Sequence, residues 1–241
     1  MSKNKTNKTI AITGGTRGIG YATAISLLKA GFQVGICYLN SHEAALEMVK
    51  QYPKQLYIFQ GDIADPKTAE QFSLELSGHF GSIDVLINNA AISHYSLLTE
   101  SFQHDLKRLF QVNVLGTLQI TKAFIPQILK TKGLIINISS VWGHKGASCE
   151  TPYSMTKGAI NQLTSSLAKE LGPNGVRTIG IAPGLIDTDM NIDLELESFI
   201  DEIPLKRPGQ PEEVVQLILY LIEKDTYLNG ITIAIDGGYS I

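Results

Sequence analysis

The chain alternates short apolar segments with longer amphipathic segments from near its start to its end. The apolar segments are rich in β-branched residues, and continuous apolar runs of this length are typical of parallel strands that are covered on both faces. Seven strands are predicted, at Thr9–Thr13, Val34–Tyr38, Leu56–Gln60, Val85–Ile87, Leu134–Ile138, Val176–Ala182 and Ile231–Ile235. Six helices are predicted between them, at Ile19–Lys29, Glu43–Gln51, Lys67–Phe80, Phe102–Ile128, Ser154–Leu171 and Glu212–Ile222.

This alternation also predicts the topology of the sheet. Each crossover between parallel strands places a helix on one face, so the pattern predicts an α/β fold with a Rossmann-type, doubly wound, seven-stranded parallel sheet. No linker or repeat divides the 241 residues, which predicts one domain over residues 1–241. Residues 188–208 break the alternation, are acidic and end in Pro204 and Pro208. They predict a mobile flap over a site, with an ordinary surface excursion as the alternative.

Composition and charge narrow the classes of protein. The formal net charge of −3 and the pI near 6.0 give no reason to expect a nucleic acid or an anionic membrane as partner. Residues 1–8 carry lysines but no apolar core of a signal peptide follows them, so they predict a solvated, flexible tail. No apolar run approaches the roughly 18 residues that span a bilayer. The two cysteines and five histidines lack the spacing of a disulfide framework or a metal site. These features favour a cytoplasmic protein without a metal ion.

A glycine-rich segment between the first predicted strand and helix carries the first candidate chemistry. Gly14 permits a tight turn, Gly18 lets a pyrophosphate approach the backbone, and Gly20 lets helix and strand pack closely. The start of the helix then offers free N–H groups to the phosphates. The segment predicts a dinucleotide site, with contacts from Gly14, Thr16, Arg17, Gly18, Ile19 and Gly20.

The end of the second strand bears on which dinucleotide is bound. A carboxylate there would bind the 2′-hydroxyl of the adenosine ribose and repel a 2′-phosphate. This strand ends in Cys37-Tyr38-Leu39-Asn40-Ser41 without a carboxylate, while Arg17 lies in the glycine loop. The balance favours NADPH over NADH. The alternative is that Arg17 is only solvated, since no second arginine reinforces it.

A tyrosine and a lysine at helical spacing form the candidate catalytic pair. Tyr153 and Lys157 lie one turn apart on the same predicted helix, and a neighbouring ammonium is expected to lower the pKa of a phenol from its usual value near 10. Tyr220 and Lys224 have the same spacing. Tyr153 is favoured because it follows the fifth strand and has Ser140 thirteen residues upstream, just past the end of that strand. Ligand sites lie at the carboxyl ends of parallel strands.

The spacing Gly-x-x-x-Gly-x-Gly together with Tyr-x-x-x-Lys resembles the short-chain dehydrogenase/reductase family over nearly the whole chain. The resemblance implies transfer of a hydride between a nicotinamide and a carbonyl carbon, with Tyr153 as proton donor and Ser140 bound to the carbonyl oxygen. It implies that Asn113 holds a water that joins Lys157 to solvent. It also implies a homotetramer that buries apolar faces of the helices at Phe102–Ile128 and Ser154–Leu171. Further cofactor contacts implied by the family are Asp62, Ile63, Asn89, Ala90, Tyr153, Lys157, Pro183, Gly184, Ile186 and Thr188.

Two segments bear on the substrate. The chain as a whole is similar to bacterial 3-oxoacyl-[acyl-carrier-protein] reductases, whereas Ser139–Glu150 resembles the elongation factor P 5-aminopentanone reductases. In the second case Glu150 would pair with the substrate ammonium and Trp142 would supply an aromatic wall. The alternative is that Glu150 is a solvated loop residue and Trp142 packs against the flap. A dinucleotide sensor without turnover is a third hypothesis, but such a protein is expected to lack Tyr153 or Lys157.

Overall fold

The computed structural model describes residues 8–189 and 196–241. Its strands are β1 Thr9–Thr13, β2 Gln33–Tyr38, β3 Leu56–Gln60, β4 Val85–Asn88, β5 Leu134–Ile138, β6 Arg177–Pro183 and β7 Thr232–Ile235. Its helices are α1 Gly18–Lys29, α2 His42–Gln51, α3 Pro66–Phe80, α4 Gln103–Phe110, α5 Thr117–Thr131, α6 Trp142–Lys145, α7 Thr151–Leu171, α8 Leu196–Glu202 and α9 Pro211–Glu223. A π-helical segment at Gln111–Gly116 joins α4 to α5, and short 3₁₀ turns lie at Leu98–Glu100 and Gly172–Asn174.

The strands form one parallel sheet in the order β3-β2-β1-β4-β5-β6-β7. This confirms the predicted α/β class and the doubly wound, seven-stranded sheet. The order reverses between β1 and β4, where the chain turns from building one half of the sheet to building the other. In sheets of this kind the crevice beyond the carboxyl ends at this reversal is where ligands bind.

Helices cover both faces of the sheet, because neighbouring residues of each strand point to opposite sides. Ile10 and Ile12 of β1 face one apolar core, which α1, α2 and α9 complete, whereas Ala11 faces the other. That second core contains Phe72 of α3 and Phe124 of α5, together with residues of α7. Strands covered on both faces have apolar residues at every position, which is why the sequence shows continuous apolar runs here.

The region predicted as one helix at Phe102–Ile128 is two helices separated by the π segment. A π turn holds one residue more than an α turn, so it shifts the helical face without interrupting the apolar pattern. The strand predicted at Val176–Ala182 lies one residue later, because Pro183 still pairs with Ile235 of β7. Helices α6 and α8 were not predicted, since each is shorter than the window in which helical periodicity is recognised.

Two further predictions concern the tail at residues 1–8 and the flap at residues 188–208. Lys8, the last residue of the predicted flexible tail, donates from Nζ to the carbonyl oxygen of Ile222 at 2.9 Å and is therefore anchored to α9. Residues 1–7 lie outside the described residues, as do residues 190–195 of the predicted flap. The remainder of the flap contains α8. Its Arg207 forms a bidentate ion pair with Glu213 of α9 at 2.8 Å. Within the described residues, no helix combines the length and apolarity that crossing a membrane requires.

Candidate active site

A cavity of about 390 Å³ opens at the carboxyl ends of the strands and extends from the glycine loop to α8. It lies where the strand order reverses, as the topology leads one to expect. Most of the predicted dinucleotide residues and three of the four predicted catalytic residues line it, whereas Gly20 and Asn113 do not. The predicted residues in its wall are Gly14, Thr16, Arg17, Gly18, Ile19, Asp62, Ile63, Asn89, Ala90, Ser140, Trp142, Glu150, Tyr153, Lys157, Pro183, Gly184, Ile186 and Thr188.

The loop from β1 to α1 has the backbone that a close approach by phosphate needs. Gly14 and Gly18 adopt φ angles of +71° and +52°, which side chains with a Cβ rarely accept. A Cβ at Gly20 would overlap the carbonyl oxygen of Gly14 and lie 2.5 Å from Nδ2 of Asn89. Gly20 therefore acts behind the cavity, by letting α1 pack against the loop. The cradle and the exposed start of α1 fit a dinucleotide pyrophosphate.

The segment after β4 holds the glycine loop in place. Asn89 donates from Nδ2 to the carbonyl oxygens of Thr13 and Gly14, both at 3.0 Å. The backbone N–H groups of Asn89 and Ala90 both donate to Oγ1 of Thr13 at 3.1 Å. Both residues also line the cavity. The predicted cofactor contacts Asn89 and Ala90 therefore also hold the β1–α1 loop in its conformation.

A second arginine, which the sequence did not single out, lines the cavity beside Asp62, a predicted cofactor contact. Arg108 of α4 forms an ion pair with Asp62 at 2.8 Å, and Asp62 also accepts a hydrogen bond from the N–H of Ala64. Arg17 and the residues that follow β2 also line the cavity. Arg108 thus lines the same cavity as Arg17, but as the ion-pair partner of Asp62, and whether it reinforces Arg17 in binding a dinucleotide stays a prediction. No local motif marks Arg108, because α4 is far from Asp62 in the sequence.

The predicted catalytic residues Ser140, Tyr153 and Lys157 lie together in the wall of the cavity. Tyr153 and Lys157 lie on α7, both buried and both facing the cavity, as their spacing predicts. The phenol of Tyr153 faces the side chain of Ser140, whose hydroxyl accepts from the N–H of Trp142 at 3.2 Å. Lys157 donates from Nζ to the carbonyl oxygen of Ile138 at 3.0 Å, and the same nitrogen lies 5.5 Å from the centre of the Tyr153 ring.

The acidity of Tyr153 differs from the prediction. Burial raises the pKa of its phenol, the negative charge of Glu150 raises it further, and only the hydrogen bond from Ser140 opposes them. Burial also lowers the pKa of Lys157 from 10.5 to about 8. The predicted lowering of the tyrosine pKa by Lys157 is therefore wrong for this arrangement, because desolvation acts on both groups and Lys157 is bonded to a backbone carbonyl.

Asn113 lies behind the cavity and not in its wall. It is buried in the π segment, where Nδ2 donates to the carbonyl oxygen of Ile92 at 2.9 Å and to Oγ1 of Thr156 at 3.2 Å. Its Oδ1 accepts from the N–H of Ile92 at 2.9 Å. The side chain thus fixes the segment after β4 against α7. The water-holding role that the family resemblance implies for Asn113 stays a prediction.

The two predicted substrate residues both face the cavity. Trp142 contacts Tyr239 edge to face with ring centres 5.2 Å apart, and its ring centre lies 6.4 Å from that of Phe199 of α8. It therefore both lines the cavity and packs against the predicted flap. Glu150 is only 9% exposed, so the alternative of a solvated loop residue is wrong. Burial raises its pKa from 4.5 to about 7.

The competing pair at the same spacing lies elsewhere. Tyr220 is half exposed on α9 and, with Lys224, lies outside the cavity wall. The sequence did not indicate that Tyr95, Phe199 and Tyr239 line the cavity, because they come from three distant places, the segment after β4, helix α8 and the C-terminal turn. Within residues 8–189 and 196–241, no group of His, Cys, Asp or Glu side chains is arranged to hold a metal ion.

Comparison with known proteins agrees with this geometry. The family model described as short chain dehydrogenase matches residues 8–198. The uncharacterized oxidoreductase YhxC of Bacillus subtilis (strain 168) is 39% identical over 98% of this chain and 86% of its own. A 3-oxoacyl-[acyl-carrier-protein] reductase of Synechocystis is 37% identical over 94% of each chain. The structure of a 3-ketoacyl-(acyl-carrier-protein) reductase from Brucella melitensis complexed with NADH is 24% identical and covers 99% of this chain and 100% of its own, with a TM-score of 0.93, which shows the same fold. The chain therefore belongs to the short-chain dehydrogenase/reductase family, and it is an oxidoreductase that acts on carbonyl or hydroxyl groups.

Proposed function

We propose that this protein reduces a ketone with a nicotinamide dinucleotide and that Tyr153 delivers the proton to the carbonyl oxygen. The observation that carries the proposal is that Tyr153 and Ser140 face each other in the cavity that the glycine loop also lines. Two hydroxyl groups there converge on a position where a carbonyl oxygen would accept from both. The Tyr220 pair offers no such partner or enclosure.

The protein side of the reaction follows from these contacts. When bound, the reduced dinucleotide supplies the hydride that is added to the carbonyl carbon. Ser140 orients the carbonyl oxygen, and Tyr153 donates the proton that the resulting alkoxide needs. Because burial keeps the pKa of Tyr153 above its usual value, the phenol holds its proton at neutral pH and suits the reducing direction. Lys157 places a positive charge beside the phenolate that remains after transfer.

NADPH is the proposed cofactor in preference to NADH. The end of β2 carries no carboxylate that would repel a 2′-phosphate, and Arg17 faces the same part of the cavity. Arg108 adds a second guanidinium group at this end, although Asp62 already neutralises part of its charge. The Gly14–Gly20 cradle accepts the pyrophosphate of either dinucleotide.

A ketone carried on elongation factor P is the proposed substrate, and the protein would then act as a 5-aminopentanone reductase in the cytoplasm. The likeness of Ser139–Glu150 to those reductases supports this, together with the exposure of Glu150 and Trp142 to the cavity. The second candidate is the acyl chain of an acyl carrier protein. It is supported by the overall likeness to relatives named 3-oxoacyl-[acyl-carrier-protein] reductases.

Turnover of the purified protein tests the reaction. We expect NADPH oxidation in the presence of a ketone, with a higher kcat/KM for NADPH than for NADH. Tyr153→Phe should lower kcat by about 10²- to 10⁴-fold, the usual contribution of a general acid. Tyr220→Phe is the matched control and should leave kcat unchanged, since Tyr220 lies outside the cavity.

The choice of ketone separates the two substrates. Elongation factor P bearing its ketone and a short acetoacetyl thioester are offered to the wild-type protein under the same conditions. Faster turnover of the modified factor supports the first candidate, whereas faster turnover of the thioester supports the second. A Tyr153→Phe variant with full activity would contradict the proposed proton donor for both.

A further inference from the structure

Thr156 carries a completely buried hydroxyl group between the two predicted catalytic residues of α7. The residue is 0% exposed and lies behind the cavity wall. Its Oγ1 donates to the carbonyl oxygen of Tyr153 at 2.7 Å and accepts from Nδ2 of Asn113 at 3.2 Å. A threonine in a helix commonly donates to a carbonyl of the preceding turn, whereas the bond from a different element is an additional contact. Thr156 therefore connects the backbone at Tyr153 to the π segment.

The connection continues from the π segment to the cavity wall. Nδ2 of Asn113 also donates to the carbonyl oxygen of Ile92, and Oδ1 of Asn113 accepts from the N–H of Ile92, both at 2.9 Å. Both hydrogens of the amide group and the hydrogen of the hydroxyl group are thus used. Since Ile92 lines the cavity, two buried side chains join a point in its wall to the backbone of Tyr153. Buried polar networks in which every donor is satisfied make a structure rigid.

The start of α7 gives Tyr153 little support of its own. The helix begins at Thr151, only two residues before Tyr153, and no side chain caps it. Uncapped helix ends fray readily, because their first N–H groups lack partners within the helix. The position of Tyr153 therefore depends on contacts that reach it from outside the first turn, and the hydroxyl of Thr156 supplies one of them.

We propose that Thr156 is a positioning residue for the reduction and that its hydroxyl fixes Tyr153 relative to the cavity wall at Ile92. A general acid acts only when its oxygen lies within hydrogen-bonding distance of the atom that receives the proton, and a displacement of about 1 Å can lower a rate by about 10²-fold. The hydroxyl of Thr156 bonds to the backbone of Tyr153 and acts through the place of the phenol. The inference rests on the proposed role of Tyr153 as proton donor.

Two substitutions at this position separate the hydroxyl from the packing of the side chain. Thr156→Val keeps the shape and removes both hydrogen bonds, so it should lower kcat for ketone reduction with NADPH by about tenfold or more. The KM for the ketone and the Kd for NADPH should stay within about twofold of the wild type, because ground-state binding does not use the proton. Thr156→Ser keeps the hydroxyl and should retain kcat within about threefold, although it loses a buried methyl group. Equal losses of kcat in the two variants would show that packing matters and the hydroxyl does not.

Thr164 provides a matched control on the same helix. It is also 0% exposed, and its Oγ1 donates to the carbonyl oxygen of Ile160 and accepts from Nδ2 of Asn137, both at 2.9 Å. Thr164→Val therefore removes the same two kinds of hydrogen bond and leaves a buried amide unpaired in the same way. Since Thr164 and Asn137 lie outside the cavity wall, this variant should lose stability to urea much as Thr156→Val does and keep the kcat of the wild type. A similar fall of kcat in both valine variants would contradict a specific role for Thr156.

Hydrogen–deuterium exchange of the backbone at residues 151–157 gives a measurement that needs no turnover. This segment should exchange at least about tenfold faster in Thr156→Val than in the wild type, and at the wild-type rate in Thr164→Val. Unchanged exchange in Thr156→Val overturns the positioning role, and so does full kcat in that variant while the wild type reduces ketones; either result leaves the reductase proposal standing. If the wild type reduces no ketone, the reductase proposal is wrong, and the exchange result alone decides whether Thr156 anchors Tyr153.

Discussion

Three ionisable side chains share the closed end of the cavity, and burial acts on each in the direction that favours its neutral form. The pKa values of Glu150 and Tyr153 rise, and that of Lys157 falls. Because the charge of Glu150 also raises the pKa of Tyr153, a cation bound at Glu150 would offset that effect. Glu150, a proposed substrate residue, and Tyr153, the proposed proton donor, are thus electrostatically coupled.

The raised pKa of Glu150 predicts a pH-dependent stability. Between its ordinary value of 4.5 and about 7, the folded protein keeps a proton that the unfolded chain releases, so the free energy of unfolding falls as the pH rises through this window. At about 1.4 kcal/mol per pKa unit, the loss is on the order of 1–3 kcal/mol. Urea denaturation at pH 5 and pH 8 should show this loss in the wild type relative to Glu150→Gln.

The comparison of the wild type with Glu150→Gln separates the effect of Glu150 ionisation on stability from that of Lys157. The lowered pKa of Lys157 reduces stability as the pH falls from 10.5 towards about 8, but Lys157 is present in both proteins and its effect cancels. Parallel stability profiles for the two proteins would show that Glu150 ionises at its ordinary pKa. Such a result would also argue against Glu150 as a buried partner for the ammonium group of a substrate.

At the scale of elements, the β1–α1 loop and the π segment illustrate what a local pattern conveys. The glycine positions predict the loop because each glycine answers a local steric need: positive φ at Gly14 and Gly18, and close packing at Gly20. The π segment escapes prediction because its extra residue is stabilised by contacts of Asn113 with Ile92 and Thr156, which are distant in sequence. Residues close in the sequence determine whether a segment forms a loop or a helix here, whereas contacts between distant residues determine where the helix is interrupted.

The packing of the loop against α1 predicts the effect of one methyl group. Gly20→Ala would place a Cβ against the carbonyl oxygen of Gly14 and the amide of Asn89, so the loop must shift. We expect about 1–3 kcal/mol of destabilisation and at least tenfold weaker NADPH binding. Thermal unfolding with and without NADPH measures both effects.

The matched substitution for this prediction is Gly78→Ala. Gly78 lies within α3, and a Cβ there would meet no atom within 4 Å. Replacing glycine by alanine at such a helical position should stabilise the protein by up to about 1 kcal/mol and leave NADPH binding unchanged. Equal NADPH affinity in Gly20→Ala and the wild type would show that the loop tolerates the methyl group.

At the scale of the whole molecule, several large apolar side chains stay exposed on neighbouring helices. Phe102 at the start of α4, Leu115 of the π segment, Leu118 of α5 and Met155 of α7 are 69%, 50%, 42% and 60% exposed. Contiguous exposed apolar groups often mark an interface between proteins, and we propose that these four side chains contribute to one. They lie on the helices that the family resemblance assigns to the proposed homotetramer.

A charge at this surface tests the proposed assembly. Met155→Glu should convert the tetramer into smaller species in sedimentation velocity, because burying an unpaired carboxylate at an interface is costly. Leu74→Glu is the control: Leu74 is 73% exposed on α3, outside these helices, and its change should leave the mass unaltered. A wild-type monomer would contradict the tetramer, and a tetrameric Met155→Glu variant would contradict this interface.

The sequence by itself determined the alternation of strands and helices, the glycine loop and the pairing of Tyr153 with Lys157, because periodicity, turn conformation and helical spacing act between residues close in the chain. Only the tertiary structure decided which groups are buried and which distant groups meet. It brought Arg108 to Asp62 and Tyr239 to Trp142, and it enclosed Oε2 of Glu150 without a hydrogen-bond partner among the described residues. It also reversed the predicted shift in the acidity of Tyr153, since the cost of removing a charge from water depends on everything packed around that charge.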